Sequence, residues 1–415
     1  MMRNALLFIS IFLLMHVQTH AQQILLQNVT VIDGDARIAP RTASVLLRDG
    51  LIRKIYTSAS RKLTNTRIID CTGKYLVPGM MDAHVHLATV LDDDLRKARL
   101  LTDSIISNMV RHGITTVRDM AGNAPYLAAL KSDVRAGKTI GPDIYYAAQF
   151  AGPGYFDMIR RSGRDGDLGN SAWYKAIIPG MDVTRAVKEA KAAGVTGLKI
   201  YADLDAQLIK DLTVAARKAG LKAWSHAAVF PCKPGAIVAA GVNSMSHAND
   251  FAFQQLPGDT LEIGKAWQAL YKKDFRLDTL VQIPLLQEMA RKGIFLDPTV
   301  FHAENNRMHS AAIVTRLAHV HGVKVVAGTD WIYHTSGEVP LLQEMLLLQS
   351  KCGLNAAAVI EAATLNGAQV CGLTDRGAIR KGMRADLLLL SGNPLQDLKL
   401  LFQPEQVFLN GKKLY

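Results

Sequence analysis

V-P-G-M-M-D-A-H-V-H-L, residues 77–87, is the stretch from which the fold of this chain is read. Met80, Met81, Ala83, Val85 and Leu87 form a short, mostly apolar run introduced by Pro78-Gly79, a pattern that predicts a buried strand. Residues i and i+2 of a strand point to the same side. His84 and His86 therefore present two imidazoles to one place, at the strand's C-terminal end. Neutral imidazole nitrogens about 2 Å from a divalent ion are ordinary metal ligands. Two unrelated histidines would give the same local pattern, so the ends of the other strands have to decide.

Downstream, strand and helix signals alternate. A helix expected from about Leu95 to His112 leads into a strand at Ile114–Asp119, and further strands are expected at 142–147, 197–201, 222–226, 242–247, 294–299 and 323–330. The helices expected over 183–193 and about 206–218 end at Gly194 and Gly220, where a left-handed stop is easily made. Eight parallel strands with crossover helices are the arithmetic of a (β/α)8 TIM barrel. Two insertions interrupt the rhythm. Phe150–Asp182 reads as a long loop rich in Gly and Arg, and Asn249 to about Leu280 includes a helical piece around Trp267–Lys272. Loops of this length at the C-terminal face shape or cap a site.

Both ends of the chain have a different texture. From Gln23 to about Lys74 short β runs are separated by turns, among them Asp49-Gly50. The C-terminus repeats the style at 385–390, 406–409 and 412–415, with Asn410-Gly411 as a turn. Neither fragment closes its own edges, so the two are expected to complete one small β-sandwich. The expected organisation is a leader at 1–21, a sandwich from 22–76 and 377–415, and a barrel at 77–376.

The first residues have the layout of a secretory signal peptide: basic Arg3, an apolar run over Ala5–Met15, then Thr19 and Ala21 as small residues before a cut after Ala21. Export to the periplasm or medium is expected, with no stable membrane association after cleavage. The chain has 415 residues and a net charge of +12, but its Lys and Arg are dispersed, with no basic block and no interleaved aromatics. That reads as solvated surface and argues against nucleic-acid binding. The four cysteines, Cys71, Cys232, Cys352 and Cys371, form no C-x-x-C; Cys352 with Cys371 is the pair expected if any disulfide forms.

The ends of the expected barrel strands carry the chemistry. Strand one ends in His84 and His86, strand four carries Lys199, strands five and six end in His226 and His247, and strand eight ends in Asp330. Chance does not readily gather five metal-suited side chains and a lysine at one face. Here the chain resembles the amidohydrolase superfamily, in particular its imidazolonepropionase-like and prolidase-like branch. The matching pieces are residues 78–87, G-I-T-T-V-R-D at 113–119, G-L-K-I-Y at 197–201, His226, His247, G-T-D at 328–330, A-T-L-N-G-A at 363–368 and G-A-I-R-K-G-M-R-A-D-L at 377–387.

The resemblance implies two divalent ions, commonly zinc. His84, His86 and Asp330 would hold the more buried ion and His226 with His247 the more exposed one, bridged by Lys199 carboxylated on Nζ. It also implies attack by a metal-activated water, with Asp330 as proton carrier. Tyr201 shares the inward face of Lys199 and is a candidate catalytic and substrate-binding donor, or equally a packed core tyrosine; His302, His334 and Gly122-Asn123 are candidate substrate contacts. The leading expectation is hydrolysis of C–N bonds in small amides such as dipeptides or N-acyl amino acids, with Arg160, Arg161, Arg164 and Lys175 available for a substrate carboxylate. Cyclic amides, lactones or organophosphate esters are the alternative substrates, and a non-catalytic, metal-containing ligand-binding protein is the alternative of another class. A homo-oligomer is compatible with all of these.

Overall fold

In the computed structural model, residues 23–57, 63–163, 168–257, 272, 275–303, 305–335 and 337–414 are described. The expected signal peptide, Arg164, and all but Lys272 of the helical piece expected at Trp267–Lys272 lie outside the described residues.

The opening stretch is two strands. Tyr75–Pro78 (β5) belongs to one sheet and Met80–His86 (β6) to another, with Gly79 between them. Any side chain at Gly79 would collide with Thr115, whose Oγ1 lies 2.2 Å from the position of a Cβ. A glycine is what lets the chain pass from sheet to sheet at this point.

From β6 the barrel strands pair in sequence order and in parallel: Ile114–Asp119 (β7), Asp143–Ala151 (β8), Gly197–Ile200 (β10), Lys222–His226 (β11), Ser244–Ser246 (β12) and Phe295–Asp297 (β13). Helices cross over between them, several started by a side-chain cap: Asn123, Asp182 and Asp205 each accept a backbone N–H of the helix that follows. The expected eighth strand is irregular. Residues 323–330 bond to β13 through Leu296 N–H to Lys324 O and Val326 N–H to Leu296 O, both 2.9 Å. On the other side, Ala83 N–H reaches Ala327 O and Asp330 N–H reaches His84 O, both 2.8 Å. The segment thus closes a TIM-like barrel, but only Trp331–Ile332 (β14) forms a regular ladder, with β6. The physical reason is local: Asp330 has φ 56, which breaks an extended ladder, and the chain passes so close to Asp297 and His84 at Gly328 that a side chain there would collide with them.

Inside the barrel, Met81, Ala83, Tyr145, Ala147, Trp224 and Val326 pack into an apolar layer. Trp224 is wholly buried and its indole N–H donates to Val370 O at 3.1 Å. Polar strand ends lie beyond this floor. The insertion after β8 is not the plain loop expected: it contains a helix, Pro153–Arg161 (α3), and a strand, Tyr174–Ala176 (β9), that pairs with β8.

The terminal strands form one mixed eight-stranded sheet in the order β17-β16-β15-β5-β1-β2-β3, with β4 also on β1. Here β1 is Gln23–Val31, β2 Arg41–Arg48, β3 Leu51–Tyr56, β4 Thr66–Asp70, β15 Leu387–Leu390, β16 Gln406–Leu409 and β17 Lys412–Lys413. A bulge after Leu26, with Asn28 at φ 58, bends β1 so that its first half pairs with β4 and its second with β5. Ile24, Leu26, Val29, Val45, Leu387, Leu389 and Phe408 form a core of their own there. The cysteine expectation is corrected: Cys352 and Cys371 are both free and buried, one among the outer helices and the other against the barrel floor.

Candidate metal centre

His84 and His86 converge as the i, i+2 spacing requires. Each places Nε2 3.0 Å from Asp330 Oδ1. Their other nitrogens are anchored: His84 Nδ1 lies 2.7 Å from Asp297 Oδ2 and His86 Nδ1 lies 3.0 Å from Ala121 O. Carboxylate and carbonyl oxygens only accept, so both Nδ1 atoms carry the hydrogen. The lone pairs are then on Nε2, and both face a carboxylate oxygen. Three acceptors directed at one point suit a cation between them, and His84, His86 and Asp330 have their ligand atoms within 4.8 Å of one another. This donor set fits a divalent ion of zinc-like preference.

Asp330 is held from behind. Asp82, fully buried beneath it, accepts the Thr329 N–H at 3.1 Å and the Thr329 hydroxyl at 2.9 Å. Burial alone would raise the Asp330 carboxyl; the polar surroundings formed by the His84, His247 and His86 rings outweigh it and hold the group well below the usual carboxylate range. Burial instead dominates at Asp82, pushed up to about 7.

Lys199 is nearly inaccessible, with Nζ 3.4 Å from His84 Nε2. Burial lowers its amine to about 8. His226 and His247 stack edge to face with ring centroids 4.5 Å apart, and the His247 ring lies 5.3 Å from that of His84. Burial, together with the Lys199 charge, keeps both well below the ordinary histidine value, in the neutral state that can ligate. His247 Nδ1 is 3.8 Å from Asp330 Oδ2 and 2.9 Å from Thr299 Oγ1. All six expected ligands are therefore neighbours, although only His84, His86 and Asp330 form the tight group.

The expected substrate contacts divide. Tyr201 stacks on His226 at 4.1 Å and on Tyr155 at 4.7 Å, and burial raises its hydroxyl, which stays a donor. His302 points Nε2 at Asp330 Oδ2 over 3.6 Å. Asn123 instead caps the helix Ala124–Arg135, and His334 is turned onto Ile332 O at 2.8 Å. The basic residues of the first insertion are engaged within the chain: Arg160 pairs with Asp157 at 2.6 Å, Arg161 Nε donates to Asp157 O, and Lys175 pairs with Glu189. Each of these three therefore has a partner within the chain.

Several residues that hold the site escaped the sequence reading. Arg118, wholly buried and stacked over Trp224, donates to Asp297 Oδ2 at 2.8 Å and to Ser244 Oγ. Asp119 accepts the Leu87 N–H at 2.7 Å. Glu344, on the helix Leu341–Ser350, accepts Val300 N–H at 3.1 Å and Phe301 N–H at 2.6 Å. Their only signals were the R-D pair in G-I-T-T-V-R-D, the Asp297-Pro298-Thr299 strand end, and an acidic residue within the apolar run L-L-Q-E-M-L-L-L.

Fold and cluster together define a class: a TIM-like barrel enzyme with metal-suited side chains at the C-terminal ends of its strands. The chain belongs to the amidohydrolase family, whose model matches residues 75–414, and is a hydrolase of that superfamily, which generally uses divalent metal ions. Over 388 residues it is 24% identical to the 5'-deoxyadenosine deaminase of Methanothermobacter thermautotrophicus, covering 85% of this chain and 81% of that protein. A solved Xaa-Pro dipeptidase with methionine bound in its active site is similar with a TM-score of 0.74 at 19% identity, over 94% of this chain and 99% of that one. A prolidase complexed with N-methylphosphonate-L-proline gives 0.73 at 20% identity, again over 94% and 99%. At such identities the structural likenesses show the fold alone.

Proposed function

We propose that this protein is an exported, binuclear metal-dependent amidohydrolase that cleaves C–N bonds of small amides, dipeptides or N-acyl amino acids among them. The observation that carries the reading is the convergence of two Nδ1-anchored histidines on Asp330. His84, His86 and Asp330 would hold one ion and His226 with His247 a second, with Lys199 joining them once carboxylated on Nζ. Zinc or a similar ion there would supply Lewis acidity and a water acidic enough to react near neutral pH.

The chain's own residues do the rest. Asp330, kept ionised, takes the proton of the attacking water and delivers it to the departing nitrogen. Tyr201, kept protonated, donates to the substrate carbonyl oxygen, and His302 borders the same space. The barrel floor excludes water from below, which strengthens these polar contacts. Residues 77–376 form the catalytic unit in this proposal. Residues 22–76 and 377–415 form the small β unit beside it, and residues 1–21 a leader cleaved after Ala21.

A second reading within the same chemistry is hydrolytic deamination of a heterocyclic amine, favoured by the likeness to the 5'-deoxyadenosine deaminase over most of the chain. The test is metal analysis of protein purified with bicarbonate, followed by assay of dipeptides, N-acyl amino acids, adenine nucleosides, lactones and phosphotriesters. About two metal equivalents and turnover of an amide are expected. Asp330→Asn should keep metal while kcat falls by roughly 10²–10⁴-fold. Metal-free protein, or full activity in Asp330→Asn, would overturn the assignment.

A further inference from the structure

The described cations of the insertion pair within the chain, and what borders the cluster is aromatic. On the His226 side, Tyr201 stacks against Tyr155, which α3 carries in from the insertion. Phe156 and Tyr174 back that pair, with ring centroids 4.9 Å apart. The arrangement is built: Asp203, two residues after Tyr201 and at φ 57, accepts the Gly154 N–H at the start of α3 at 2.6 Å. A Cβ on Gly152 would lie 1.7 Å from Asp203 O, so only glycine permits this contact between strand end and helix.

On the Asp330 side, Trp331 follows the carboxylate directly and faces Phe301 with centroids 5.7 Å apart. Both rings keep part of their surface open. Their backbones are fixed independently, Trp331 by pairing with Val85 in β14 and Phe301 by Glu344. Among the described residues the buried Trp331 indole N–H has no hydrogen-bond partner, which is unusual for a tryptophan. A rigid, tilted pair of partly exposed aromatic rings next to a proton carrier offers a recognition edge for a flat ring.

We propose that Phe301 and Trp331 select substrates whose departing amine carries an aromatic ring, held against the indole while Asp330 protonates the nitrogen. The proposal rests on the amide-hydrolase reading, because only that reading places the leaving amine beside Asp330. Tyr201 and Tyr155 then border the acyl half, and recognition on both sides is apolar rather than ionic.

The test compares N-acetylbenzylamine with N-acetyl(cyclohexylmethyl)amine on the zinc-loaded full chain. The two amides have similar size and differ in aromaticity; benzylamine is also the weaker base, so Kd rather than kcat/KM carries the comparison of ring recognition. Calorimetric Kd and kcat/KM are measured separately. Benzyl is expected to bind about three- to tenfold more tightly than cyclohexylmethyl, the range of an aromatic stacking contribution. Trp331→Leu should erase the preference and Trp331→Phe should restore most of it; Phe301→Leu, at an independent position, should reduce it. Equal Kd values in the native protein, or no binding of either amide, overturn the proposal. So does a preference that survives both leucine variants. Tighter benzyl binding without turnover of either amide supports the aromatic site while refuting amide hydrolysis. Turnover of both with equal Kd and kcat/KM does the reverse.

Discussion

Asp297 shows how one residue sets the state of another. Its Oδ2 receives His84 Nδ1, Arg118 Nη2 and the Ser246 hydroxyl, so that one oxygen fixes which nitrogen of His84 carries the hydrogen. In Asp297→Asn the amide nitrogen competes for the place facing His84. An N–H there turns the imidazole tautomer and removes the Nε2 lone pair from the cluster. Zinc affinity, titrated against a chelator, is expected to fall about 10–100-fold, the usual effect of losing such a partner; unchanged affinity would show that Asp297 does not set the tautomer. The histidines themselves were legible because strand periodicity needs only two residues of sequence. Asp297 was visible as a strand end and Arg118 as part of a motif. Their meeting spans 179 positions, which no local pattern encodes.

Among the elements, the turn after β13 is the most constrained. Thr299 is β-branched yet has φ 48, a conformation such residues avoid, and its hydroxyl meets His247. Glu344 stabilises the turn by accepting the next two backbone N–H groups. Burial nevertheless pushes its carboxyl from 4.5 up to about 8. Between those values the unfolded chain is ionised and the folded one keeps the proton. The stability linked to Glu344 is thus fully present below its ordinary value and is lost as pH rises through about 8. Glu344→Gln does not titrate. Urea unfolding at pH 5, 6.5 and 8 should therefore show the native protein losing stability relative to the variant, by an order of a few kcal/mol. Asp82 titrates in both proteins and drops out of the difference. A pH-independent difference would contradict the buried, protonated carboxyl. Helix periodicity made the helix bearing Glu344 foreseeable as an apolar element, but not the role of the one acid within it. The helix and strand inside the first insertion were hidden for a related reason: its Gly and Arg content reads as loop, while its pairing partner lies in β8.

Across the whole molecule, A-D-L-L-L-L at 385–390 joins the two units. Leu387 and Leu389 enter the terminal sheet's own core, while Leu388 and Leu390 enter the barrel's. All four are fully buried, and β15 lies between β5 and β16. Arg384 reaches Asp143 at the start of β8 at 3.6 Å, so an ion pair crosses the same boundary, while Arg380 joins Asp33 and Asp35 within the terminal unit. That both termini would cooperate was legible, since neither fragment could cover its edges alone. The single continuous sheet was not, because it depends on β1 bending at Asn28 to serve two partners. Deleting residues 385–415 removes the four leucines, each worth about 1.5–3 kcal/mol of burial, against a total stability of roughly 5–15 kcal/mol for a typical domain. It also bares the edge of β5, one Gly away from the strand that carries His84 and His86. The truncated protein is therefore expected to aggregate and to fail to retain zinc, measured by size-exclusion chromatography with metal analysis of each fraction. A monomeric, zinc-loaded truncation with native melting would show that the barrel stands without the sheet.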